Sequence, residues 1–294
     1  MKIKTIFTVL LMLAASCAAA ATRPNVVVEG VQMPAWVEHA SGARDALAPG
    51  MTLANKDRVV TGPGSRAMLR LADGSLVKLG ENGTLALDDL GQKKIQLKEV
   101  MTASLDVLSG AFRYTTQALY KFRGERDVKV RVVTITMGIR GTDLWAKADK
   151  TRDIACLLEG KVDVTRGQEA FTMDQPMSFY IAPKGKSGEP VGKVPKEQMD
   201  KWILETDIAD GAGALRNGGK WRVYLAEASD QDAALKIYDQ LRYAGYAAEI
   251  RPVKSEAGTN YRVRISHLAT KQEAAALGGK LKGKMGITEP KVSK

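Results

Sequence analysis

The stretch from Gly219 to Lys294 constrains the fold most tightly, because a strand-like and a helix-like hydrophobic period alternate in it twice. WRVYLA (221–226) alternates apolar and polar residues, as a half-buried strand does. Ser229-Asp230 stands where a helix N-cap belongs, ahead of DAALKIYDQLRYAG, and Gly245 closes that helix. YAAEI follows as a second strand, GTN (258–260) turns the chain, and YRVRIS (261–266) is a second clean alternation. Thr270 caps a further helix, KQEAAALGGKLKGKMG, and ITEPKV finishes the unit. Two such halves make a small α+β sheet with both helices on one face and the other face open. Alternation sends Val223, Leu225, Val263 and Ile265 toward the helices, and Arg222, Tyr224, Arg262 and Arg264 onto the open face.

These residues resemble the SPOR domain, a ferredoxin-like (RNP-like) module that binds bacterial cell-wall glycan strands lacking stem peptides. The resemblance is carried by WRVYLAEASDQDAALKIYDQL, AGYAAEI and YRVRI, and covers about the last quarter of the chain. The family usually has Gln where Tyr224 stands, Phe near Ala228, and Gly-Pro-Phe where Ser266-His267-Leu268 follow the strand. These departures bear on glycan preference rather than on fold. The resemblance implies a glycan-binding role for Arg222, Tyr224, Arg262 and Arg264. The tyrosine ring can stack on a sugar, and guanidinium groups can pair with lactyl carboxylates, which are free acids once stem peptides are gone. The plain structural reading of the same residues is an open sheet face kept soluble by Arg.

The N-terminus reads as a secretory leader spanning residues 1–21. Lys2 and Lys4 precede an apolar run from Thr5 to Ala15 that is short for a bilayer span, and Ala19-Ala20-Ala21 offers an A-x-A cleavage site before Thr22. Cys17 would serve instead as a lipidated N-terminus, but Ala14 stands where a lipobox prefers Leu, which favours the A-x-A site. The expected mature chain starts near Thr22, has no transmembrane segment and sits in the periplasm. Of the two cysteines, Cys156 then remains alone, in the apolar run IACLLEG, where it reads as a small buried hydrophobe. A net charge of +11 in an exported chain favours anionic wall polymers and headgroups over nucleic acid.

Residues 22–183 have a different texture. Short alternating runs recur at about ten-residue spacing, punctuated by Asp73-Gly74 and Asn82-Gly83, and argue an all-β sandwich, barrel or solenoid. Leu69, Leu71, Leu76, Val77, Leu79, Leu85 and Leu87 are candidate core residues. LAPGMTLANKDRVVTGPGSRAMLRLADGSLVKLGENGTLAL and MGIRGTDLWAKADKTRDIACLLEGKVDV resemble the FecR domain, a periplasmic all-β module, over most of 26–182. The family's namesake relays an iron-siderophore signal to a sigma factor through a cytoplasmic segment and a membrane helix. The leader described above is unlike that segment, so the resemblance implies an envelope β scaffold. Ser65-Arg66 and Arg140-Gly141-Thr142-Asp143 read as satisfying backbone groups at strand reversals rather than as a ligand site. The basic and aromatic segment TTQALYKFRGERDVKVRVV, with Tyr114, Tyr120 and Phe122 in or beside it, reads as a solvated connection.

Residues 184–218 form a linker rich in Pro, Gly and Lys, with a helix near 196–209 whose Trp202 face is expected on the β domain. ADGAGALRNGG reads as a looser joint, so residues 219–294 are expected to fold and move independently of the β domain. His39 and His267 are the two histidines, and no nucleophile elbow, zincin, Walker or dinucleotide motif is present. No catalytic residue, metal site or cofactor is assigned. The sequence thus reads as a non-catalytic envelope protein that binds peptidoglycan glycan through its C-terminal sheet. Docking of envelope or division proteins, or signal sensing, is the alternative. RNA binding by the RNP-like sheet is disfavoured, because the usual aromatic pair is reduced to Tyr224.

Overall fold

The computed structural model describes residues 25–95, 98–116, 124–256 and 258–294. The expected leader, the cleavage site before Thr22, Cys17, Tyr120 and Phe122 lie outside the described residues. Among the described residues the structure is mostly β, with three helices: α1 (Lys196–Leu204), α2 (Gln231–Tyr243) and α3 (Lys271–Leu281). None is long and apolar enough to cross a membrane.

The N-terminal part is a two-sheet sandwich. One sheet runs, in spatial order, through Thr52–Leu53, Val26–Gln32, Arg66–Leu71, Leu76–Leu79, the end of Lys98–Thr115, Asp143–Ala148, Arg152–Glu159 and Ser178–Pro183. The other runs through Arg44–Ala46, Ala35–Glu38, Arg58–Thr61, Thr84–Ile95, the start of Lys98–Thr115, Glu125–Val132, Ile135–Ile139, Val162–Arg166 and Glu169–Met173. Lys98–Thr115 belongs to both sheets. It switches at Gly110, where φ is +84° and an added Cβ would lie 2.6 Å from the Gly83 backbone, so only glycine fits.

Alternation explains the core. In RAMLRL and LVKL every second residue is buried, and Leu69, Leu71, Val77, Leu79, Leu85 and Leu87 are all interior; Leu76 lies on the half-buried outer positions. The segment read as a solvated connection is instead partly a strand. ERDVKVRV buries Val128, Val130 and Val132 and pairs in parallel with Lys98–Thr115. Tyr114 is fully buried and donates to Ser75 Oγ at 3.0 Å; burial, then the Asp73 charge, pushes its hydroxyl up to about 12. Helix α1 stacks Trp202 on Trp145, with centroids 4.7 Å apart, over a second apolar cluster that includes Met199 and Cys156. Burial, then Asp143, holds the Cys156 thiol at about 12, so it carries no thiolate chemistry near neutrality.

The C-terminal strands lie in the order Ala248–Ser255, Gly258–Leu268, Trp221–Ala228, Lys291–Ser293, all antiparallel. This is the strand order of a βαββαβ sheet. Asp230 caps α2 by accepting from Ala233 N at 3.1 Å, and Thr270 caps α3 by accepting from Glu273 N at 3.1 Å. GTN is not the turn; it lies inside Gly258–Leu268, and the partner strand runs on through Pro252, which a sheet edge tolerates because no ladder donor is needed there. Helix α3 ends at Leu281, earlier than its sequence pattern extends.

The segment expected to be a loose joint is tied on both sides. Leu215 pairs with Val31 of the sandwich and with Leu268 of the C-terminal sheet, and Asn217 N donates to Glu29 O at 2.8 Å. Buried Glu273 accepts from the backbone N–H groups of Gly211, Gly213 and Ala214 at 2.7, 2.6 and 2.9 Å. At the end of α2, Ala35 N donates to Gly245 O, Trp36 Nε1 to Tyr243 O, and Arg242 to Asp45. Asp45 continues through His39 to buried Asp57. One continuous apolar cluster includes residues of the sandwich and of the C-terminal sheet, so the two parts form a single packed body.

Candidate functional site

The open face of the C-terminal sheet is built by register. Val223, Leu225, Val263 and Ile265 are buried beneath the helices. Tyr224 stands opposite Arg264 on one side and Lys291 on the other. The four residues singled out in the sequence, Arg222, Tyr224, Arg262 and Arg264, are brought together here. The Arg262 guanidinium carbon lies 5.8 Å from the Tyr224 ring centroid. Burial raises the Tyr224 hydroxyl pKa, but hydrogen bonds from Arg222 and Arg264, with their charge, outweigh it and hold the group below its ordinary value.

Two carboxylates that the sequence reading left out share this face. Glu227 receives Arg262 Nε at 2.9 Å, and Glu249 receives Arg264 Nε at 3.1 Å and its terminal nitrogen at 3.0 Å. The hydrogen bond from Arg262 outweighs the opposing effect of burial and, with a lesser one from Asn260, holds Glu227 below the usual carboxylate range; the same pair raises Arg262. A strict period of two from Leu225 would turn Glu227 inward. A register shift between Tyr224 and Ala226 sets Ala226 opposite Val263 and Glu227 opposite Arg262, and that bulge has no signature in the alternation. Glu249 was legible, since AEIRP alternates as YRVRI does and Glu249 pairs directly with Arg264.

At one end of the face is a shallow pocket of about 500 Å³, bordered by Lys220, Trp221, Arg222, Glu249, Arg264 and Ser266. His267, with φ +67°, makes a second irregularity there and is exposed at the rim.

Elsewhere, the polar residues at strand reversals of the sandwich satisfy local groups. Ser65 Oγ donates to Gly62 O, Thr142 Oγ1 donates to Lys161 O, and Asp143 takes a bidentate pair from Arg113 at 2.9 and 2.7 Å. Among the described residues, no group of three His, Cys, Asp or Glu side chains could hold a metal ion.

Two family models match this chain. The family model for the FecR protein matches residues 57–163, and that for the SPOR domain matches residues 217–292. The chain therefore carries a FecR domain followed by a C-terminal SPOR domain. No curated protein matches it. Among solved structures, a candidate anti-sigma factor from Parabacteroides distasonis, at 1.65 Å resolution, is 13% identical with a TM-score of 0.41, over 63% of this chain and 73% of its own. A second structure of that description, at 2.50 Å, is 12% identical with a TM-score of 0.39, over 72% of this chain and 99% of its own.

Proposed function

We propose that this is a non-catalytic protein of the bacterial periplasm that binds peptidoglycan glycan strands lacking stem peptides through the open face of its SPOR sheet. The FecR sandwich acts as a scaffold for envelope or division partners. The observation that carries the reading is the convergence of Arg222, Tyr224, Arg262 and Arg264 on one face, opposite the side the helices cover. An aromatic ring framed by guanidinium groups suits a sugar that bears both apolar ring faces and acidic substituents.

Co-sedimentation of the protein with purified sacculi tests this. Binding should rise after the sacculi are treated with an amidase that removes stem peptides. Tyr224→Ala should weaken binding by about fivefold, the loss of one stacking contact of about 1 kcal/mol, with little dependence on salt. Equal binding by treated and untreated sacculi would remove the preference for stripped strands. Absence of binding to both would leave partner docking by the sheet as the better reading.

A further inference from the structure

The positive charge of the open face is unevenly distributed. Across most of the sheet it is already neutralised, because Arg262 is held by Glu227 and Arg264 by Glu249. An incoming anion would have to displace an internal carboxylate at either position. The pocket at the Trp221 end is different. Lys220, Arg222, Arg251, Arg264 and Lys294 line it, and Glu249 is the single acidic side chain among them, shared between Arg264 at 3.0 Å and Arg251 at 3.6 Å. Among the described residues, neither Lys220 nor Arg222 has a carboxylate partner; Arg222 donates only to the Tyr224 hydroxyl.

Two further residues line the same pocket. Half-buried Trp221 is one, and its indole also packs against the apolar core. Ser266 is the other, and its hydroxyl is buried and has no hydrogen-bond partner in the protein. A buried hydroxyl in that state is ordinarily matched by a ligand or an ordered water.

We infer that this pocket, and not the Arg262–Arg264 row, is the subsite that receives a carboxylate of the wall ligand, with Lys220 and Arg222 as its determinants. The inference rests on the glycan-binding reading above and refines where on the face the charge is met. A guanidinium with free donors binds a carboxylate in a planar, two-pronged manner, and an unpaired ammonium beside it adds attraction without fixing geometry. Two sources supply such a carboxylate in the wall: the lactyl groups of stripped glycan and the ends of stem peptides. The first is favoured because a tryptophan, Trp221, lines the pocket beside the cations, and aromatic rings suit sugar faces.

The experiment compares the wild-type chain, the double variant Lys220→Gln/Arg222→Gln and the variant Arg262→Gln in co-sedimentation with four preparations. These are amidase-treated sacculi, untreated sacculi, and each of the two after carbodiimide amidation of its carboxylates. The wild type should bind the treated sacculi and lose about tenfold in affinity when their carboxylates are amidated. The double variant should bind treated sacculi about tenfold more weakly than the wild type and be indifferent to amidation, whereas Arg262→Gln, whatever its overall affinity, should keep the full tenfold sensitivity to amidation. The inference is overturned if the double variant matches the wild type, or if amidation weakens both equally. Equal sensitivity of wild-type binding to amidation in treated and untreated sacculi would overturn the lactyl assignment in favour of stem-peptide ends. If the wild type binds none of the preparations, it is the glycan-binding reading that fails. The amidation arm uses the unaltered chain, so it stands even if a variant folds poorly.

Discussion

Replacing Glu273 with alanine is expected to destabilise the whole chain by about 3–5 kcal/mol. The carboxylate is 7% exposed and is the acceptor for the backbone N–H groups of Gly211, Gly213 and Ala214. Its removal leaves three donors, two of those hydrogen bonds being fully buried, without a partner, and each unsatisfied group costs about 1–3 kcal/mol. Glutamine at the same position keeps one acceptor oxygen but turns an amide N–H₂ toward the remaining donors, so Glu273→Gln should fall between the two. Urea denaturation followed by circular dichroism measures both. A loss under 1 kcal/mol for Glu273→Ala would mean that the segment 209–218 is not held as described.

Gly245→Ala is expected to cost about 2–5 kcal/mol and to do so for the sandwich as well as for the SPOR domain. Gly245 follows α2 with φ +82°, a conformation that costs an L-residue about 1–2 kcal/mol. An added Cβ would also lie 2.6 Å from the Trp36 ring and 3.0 Å from Pro34. The indole cannot swing aside without breaking its 3.1 Å hydrogen bond to Tyr243 O, so the crowding adds about 1–3 kcal/mol. Thermal melts should show one cooperative transition for the whole chain, displaced to lower temperature in the variant. A melt in which the variant splits into an unchanged sandwich transition and a lowered C-terminal one would show that the two parts are independent after all.

What the sequence made legible follows from which interactions are local. The C-terminal elements were readable because both hydrophobic periods and both caps lie within short windows, and Asp230 and Thr270 cap where the pattern places them. The leucines around Asp73-Gly74 were readable for the same reason: a tight turn between two alternating runs fixes which residues face inward. The run VKVRV carried an equally clear alternation. Its basic and aromatic neighbours drew it into a loop reading, and its parallel pairing with Lys98–Thr115 has no local sequence signal.

The attachment of the two domains was hidden for a different reason. ADGAGALRNGG has the composition of a flexible joint, and nothing within it announces that its amides are bound by a glutamate some sixty residues later. Thr270 and Glu273 have the spacing of a helix capping box, yet Glu273 reaches to residues 211–214, and only the tertiary fold determines that. On the open face, alternation brought Arg222, Tyr224, Arg262 and Arg264 together, but the bulge that turns Glu227 outward and pairs it with Arg262 was beyond it.

The most direct measurement is a titration of the isotope-labelled full chain with a peptide-free glycan oligosaccharide, followed through backbone amide resonances. Binding at the open face should shift the amides of residues 220–227 and 261–267, most strongly around Trp221 and Arg222, and leave α2, α3 and the sandwich in place. Shifts confined to the helices or to the sandwich, or none at millimolar glycan, would contradict the assignment of the SPOR sheet as the glycan-binding surface.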